Sequence, residues 1–153
     1  MLAKSLAAAS AAALSLVVSA AQASETAPVD EPQNVLRVAV AGVRGARGHV
    51  RVDVCPLSDF LKDCRYGGAA PATPGVTVVI VKDLPPGTYA AQAYQDGNDN
   101  YLVDRNILGV PTEGVGFSND APIGLGPPSF WAAAFSYAGG HQTITFKLRH
   151  FAD

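Results

Sequence analysis

The stretch DGNDNYLVD, Asp96 to Asp104, carries the densest chemistry in the chain. Asp96, Asn98, Asn100 and Asp104 stand at loop positions one, three, five and nine, the spacing at which calcium loops present oxygen ligands. Calcium is a hard cation that takes six to eight oxygens, and the backbone carbonyl of Leu102 would supply the seventh position. Position 12 is Ile107, which has no oxygen to ligate, and position 6 is Tyr101, where an EF-hand requires Gly for its sharp turn. The loop is therefore not an EF-hand loop, and a further carboxylate would have to come from Asp99, Glu113 or Asp120. Two carboxylates alone predict an affinity on the order of 10⁻⁴–10⁻³ M. The same residues also have a use without metal, because Asp and Asn side chains accept hydrogen bonds from nearby backbone amides in Asx turns. A weak Ca2+ site and a self-bonded polar turn are both consistent with this stretch, and either role is structural rather than catalytic.

Other reactive side chains are thinly spread. Ser118, in GVGFSN, lacks the second Gly and the following helix that a nucleophile elbow requires. The three histidines, His49, His141 and His150, fall at turns or strand ends. Catalytic sets assemble in space, so a hydrolase using Ser118 or the loop carboxylates is a third hypothesis behind two non-enzymatic ones. Phe130 and Trp131 are the densest aromatic pair. They read as core filling, or as an exposed platform for a carbohydrate or peptide ligand. Arg44, Arg47 and Arg51 make a small basic spot on a solvated hairpin tip. Cys55 and Cys64, in CPLSDFLKDC, are the only cysteines and are expected to form a disulfide, since neither CxxC spacing nor a nearby His suggests redox or metal chemistry. A loop of about ten residues closed in this way stabilises by roughly 2–3 kcal/mol.

The elements that position these groups are short strands. Lys4, the uncharged run Leu6 to Val18 and Ala21-Gln22-Ala23 form a secretory signal cleaved after Ala23. Residues 24–33 are a polar, Pro-containing disordered lead, and 34–153 are one domain. Period-two alternation marks VLRVAV, with Leu36, Val38 and Val40 on one face. It also marks HVRVDVC, with Val50, Val52 and Val54 on one face, and the two read as a hairpin across GVRGARG. VTVVIVKD, Val76 to Asp83, is too apolar for clean alternation and suits a more buried strand. A Pro-Pro-Gly turn then leads into a strand with Tyr89, Ala91 and Ala93 on one side. A strand around Ala133 to Tyr137 competes with a helical turn at Ser129 to Ala134, and HQTITFKLRH closes the chain as a strand. With no amphipathic helix of ten residues or more outside the signal, the fold class is all-β, a single antiparallel β-sandwich of about seven strands. The formal net charge of −2 argues against a nucleic-acid partner. After signal cleavage no run is long and apolar enough for membrane insertion.

Three motifs in order carry a family resemblance: Leu84 to Tyr89 (LPPGTY), Asp96 to Asp104, and Gly109 to Asn119 (GVPTEGVGFSN). Together they resemble the bacterial family catalogued as "domain of unknown function 2141". The sequence departs from that pattern at Gln95, where His is common, and at Asp99, where Gly is common. The resemblance implies an exported sandwich of immunoglobulin-like or prealbumin-like form and implies no established activity. The expectation is a periplasmic or secreted, non-enzymatic module with a binding or structural role in the cell envelope, its partner an envelope protein or glycan. The alternative is a carbohydrate- or peptide-binding module using Phe130 and Trp131.

Overall fold

The structure, a computed structural model, describes residues 33–151. The expected signal peptide at 1–23, and all but the last residue of the expected lead at 24–33, lie outside the described residues. Eight strands form in order: β1 (Val35–Val43), β2 (His49–Cys55), β3 (Tyr66–Pro71), β4 (Gly75–Lys82), β5 (Gly87–Asp96), β6 (Val115–Phe117), β7 (Ala134–Tyr137) and β8 (His141–Lys147). They make a three-stranded sheet, β4-β1-β8, and a five-stranded sheet, β3-β2-β5-β6, with β7 also on β5. The pairing is antiparallel except between β1 and β8, which run parallel.

The alternation in the sequence sets which faces meet. Leu36, Val38 and Val40 of β1, Val50, Val52 and Val54 of β2, and Ala91 and Ala93 of β5 all point between the sheets into one buried cluster. The predicted hairpin between β1 and β2 does not form. β1 pairs with β4 and β8, while β2 pairs with β3 and β5, so the glycine-rich turn carries the chain from one sheet to the other. Alternation reports which face is buried and says nothing about the neighbour, so either partner satisfied the pattern. β4 is less buried than its composition suggests. Val79 and Val81 are inside, but Val76 and Val78 are 50% and 40% exposed on the outer face of the three-stranded sheet.

YGGAAP, a stretch with weak strand propensity, forms β3 because Gly67 and Gly68 let it approach its neighbours closely. A Cβ on Gly67 would collide with the Val52 carbonyl, and one on Gly68 with the Ile80 carbonyl at 2.5 Å. Near the C-terminus both competing readings hold in succession. Ser129 caps a single turn, α1 (Phe130–Ala133), and β7 follows at once. In LPPGTY, Leu84 is fully buried and the Tyr89 hydroxyl donates to the Pro85 carbonyl at 2.9 Å, the arrangement of a tyrosine corner. Cys55 and Cys64 are disulfide-bonded, with their Cα atoms 5.2 Å apart.

Candidate functional site

The candidate site residues of the polar loop sit on the outer face of the five-stranded sheet. Because Val50 and Val52 point inward, Arg51 must point outward, and on β5 the same parity sends Gln92, Tyr94 and Asp96 outward beside it. Residues 97–102 fold back over that face and bury Asp96 completely. Its carboxylate accepts from Arg51 Nε at 2.5 Å, from the Asn100 amide at 3.0 Å and from the Tyr101 amide at 2.9 Å. The Tyr101 ring lies over the Arg51 guanidinium, 3.8 Å from its centroid. Burial alone would push the Asp96 carboxyl up, but the Arg51 bond and the two amides outweigh it and hold it below the usual carboxylate range. Arg51 is thus a half-buried partner of a buried acid and not part of a solvated hairpin tip.

The rest of the polar loop closes on itself. Asn98 Nδ2 and Asn100 Nδ2 each donate to one oxygen of Asp104 at 2.7 Å. Their carbonyl oxygens accept the Asn100 and Leu102 amides, which are Asx turns. Glu113 clasps the base, accepting the Gly97 amide at 2.9 Å and the Asp104 amide at 3.1 Å. Asp99, at φ 56°, holds the left-handed conformation that favours Gly, and its carboxylate meets His49 Nδ1 at 2.7 Å. Asp120 is bonded to the Lys147 amide instead. Of the four residues proposed as calcium ligands, Asn98, Asn100 and Asp104 converge, whereas Asp96 is neutralised by Arg51. The carboxylates proposed as supplements each hold another group. Among the described residues no three of His, Cys, Asp and Glu form a metal-holding group. The donor set as it stands fits a hydrogen-bonded clasp better than a cation, because two amide NH₂ groups occupy the Asp104 oxygens a cation would need.

GVGFSN is a joint. β6 and β7 share one edge of β5, pairing with Gln92 to Tyr94 and with Gly87 to Ala90 respectively, which leaves Ala91 at the gap. Ser118 fills it. Its buried hydroxyl accepts the Ala91 amide at 2.9 Å and donates to the Ala133 carbonyl at 2.5 Å. Asn119, at φ 60°, donates to the Ala134 carbonyl at 2.7 Å. Gly116 presses on the last residues of the β8 segment, where a Cβ would collide with the Lys147 carbonyl. Gly116→Ala should therefore cost about 2–3 kcal/mol in urea denaturation, because backbone blocks relaxation on that side. Gly124→Ala, with nothing within 4 Å of the added carbon, should stay within about 0.5 kcal/mol.

The aromatic pair divides. Phe130 is 5% exposed and packs edge-on against Phe60, whereas Trp131 is 68% exposed. Core filling accounts for Phe130 and fails for Trp131. Phe60 arrives from the disulfide loop, and with Phe117, Phe130 and Ala133 it builds a second small core outside the sheet.

Between that small core and the polar clasp lies a feature that sequence reasoning missed. A cleft of about 620 Å³ opens over β5 and β6, between loop 103–111 and loop 123–127. Leu108 on one rim is 81% exposed and Leu125 on the other is fully exposed. The disulfide loop contributes Leu61 and Lys62. The available signal was a pair of apolar residues, in NILGVP and GLGPP, standing in Gly/Pro loops where no strand period accounts for them.

Two packed sheets, a tied loop on one outer face and a polar clasp beside it describe a small disulfide-containing β-sandwich protein. The chain belongs to the bacterial family whose model is described as "Uncharacterized protein conserved in bacteria (DUF2141)", which matches residues 38–145. No curated protein and no solved structure matches it.

Proposed function

We propose that this chain is an exported, non-enzymatic binding module of the bacterial envelope whose working surface is the cleft over β5 and β6. The cleft itself carries the reading. It has the size of a small-ligand site, and it exposes Leu108 and Leu125, which gain nothing from water. Other groups that invite a chemical role, Asp96, Glu113 and Ser118, are engaged in holding backbone. Export is supported by the signal pattern through Ala23 and by the Cys55–Cys64 bond, which persists in oxidising compartments. No helix among the described residues is long and apolar enough to cross a membrane. The test is fluorescence of a neutral apolar dye such as Nile red on the folded, oxidised protein. Enhancement is expected, and Leu108→Ser with Leu125→Ser should abolish it. An absent signal, or one the double variant retains, would remove the cleft from consideration.

In this reading the 96–104 loop works without metal, and calcium is the competing occupant, which would have to displace two asparagine amides from Asp104. Thermal unfolding in EDTA and across a calcium series to about 10 mM decides between them. A site of 10⁻⁴ M would stabilise by roughly 2.7 kcal/mol at that concentration, a shift of several degrees. No saturable shift is expected. A shift that magnesium does not reproduce, and that Asp104→Ala removes, would assign calcium to the loop. The exposed indole of Trp131 favours a second reading, a glycan or peptide surface there. As Trp131 is the only tryptophan, its fluorescence reports that site alone. Quenching by oligosaccharides would support it.

A further inference from the structure

We propose that the cleft takes a single-chain amphiphile with an anionic head, of the long-chain carboxylate class, with its aliphatic tail over β6 and its head at Lys62 and Arg105. The inference rests on the cleft being the binding surface and adds the class of ligand. Charge comes first. Among the described residues the lining holds Lys62 and Arg105 and no carboxylate, although the chain as a whole is acidic and the neighbouring clasp carries four acids. Among the described residues neither cation is in an ion pair. Lys62 Nζ donates to the Ser58 carbonyl at 3.0 Å and Arg105 donates to the Gly109 carbonyl at 2.9 Å, which leaves donors on both exposed heads for an anion.

The rest of the lining is aliphatic and aromatic. Val115 and Phe117 form the floor, and Leu61, Leu108, Ile123 and Leu125 the walls and rims. A peptide laid in as an extra strand would need free backbone partners, and at β5 and Val115 these are already taken. β5 is paired on both edges, and Val115 exchanges both its amide and carbonyl with Arg149. An acyl chain needs only apolar contact.

The walls are held in place by the features already described. The Asn98–Asn100–Asp104 clasp and Glu113 fix the start of loop 103–111, and Asn106 then ties its tip by accepting the Leu108 amide at 2.9 Å and the Val110 amide at 3.1 Å. On the far side the Cys55–Cys64 loop carries Lys62 and also Leu61, a non-glycine residue at φ 63°. A strained backbone of that kind persists only where its surroundings over-determine it.

Calorimetry of the oxidised protein with dodecanoate and with dodecanol, both below aggregation, tests the proposal at low ionic strength. Dodecanoate should bind at least about tenfold more tightly than dodecanol, since the two differ in the charged head. The double variant Lys62→Gln, Arg105→Gln should lose that advantage while its melting temperature stays unchanged, as both side chains are exposed. Should the variant misfold, the comparison of the two ligands on the unaltered protein still stands as the test. Equal binding of both ligands would overturn the anionic class while keeping the cleft as a binding surface. Failure of both to bind would overturn the cleft reading as well. Binding to anionic vesicles without binding monomeric dodecanoate would overturn the proposal in favour of a membrane surface.

Discussion

Replacing Arg51 with Ala should lower stability by about 3–5 kcal/mol, the usual cost of leaving one partner of a buried ion pair uncompensated. Asp96 is fully buried, and among the described residues Arg51 is its only cationic hydrogen-bond partner. The Asn100 and Tyr101 amides still reach the carboxylate but bring only partial charge. For a domain of this size the loss corresponds to roughly ten degrees or more of melting temperature. Arg51→Lys should fall between, because an ammonium keeps the charge and loses the flat stack under Tyr101. The pH dependence separates this account from simple loss of packing. In the parent protein the Asp96 carboxyl is held below its usual range, so its contribution is complete above the unfolded value near 3.9 and is lost as pH falls through the folded value. In Arg51→Ala burial dominates and pushes the same carboxyl up, so acid neutralises the stranded charge and relieves the variant. The stability gap, read by urea denaturation, should be widest near neutrality and should shrink as the pH approaches 3. A gap that stays constant would mean that the guanidinium acts there through contact area and not through charge.

The class of fold was legible in the sequence because burial of a strand leaves a period of two, visible in Leu36-Val38-Val40 and in Val50-Val52-Val54. What the period does not encode is the neighbour, which is why β1 and β2 read as a hairpin and in fact belong to different sheets. β3 was invisible for a related reason. Its glycines fit there because of the carbonyls of Val52 and Ile80, which come from other strands. The polar loop was legible as a loop and as an Asx-turn former, since those bonds are local. Its partners, Arg51 from 45 residues away and Glu113 from 16 residues away across its mouth, depend on the register of β2 against β5 and on the path of loop 103–111. The cleft was least legible of all, because its walls come from three segments, each unremarkable alone.

Ser118 offers the sharpest contrast between a reactive group and a structural one. Ser118→Ala removes the acceptor of the Ala91 amide and the donor to the Ala133 carbonyl, both at a buried seam. A buried polar group left without a partner costs about 1–3 kcal/mol, so the variant should lose roughly 2–4 kcal/mol in urea denaturation. Hydrogen exchange should localise the damage, with the Ala91 amide losing protection first and the pairing of β6 and β7 to β5 weakening on either side of it. A nucleophile predicts the opposite sign. Catalytic side chains are commonly held at a cost to the fold, and removing one tends to leave stability unchanged or raised. The hydroxyl here donates its one proton to a backbone carbonyl, accepts from a backbone amide and is buried, so its proton is committed and its oxygen does not face solvent. An Ala variant as stable as the parent would reopen the case for chemistry at Ser118. A destabilised one, with exchange fastest at Ala91, would place this serine among the groups that hold β6 in register, and with β6 the floor on which the cleft is built.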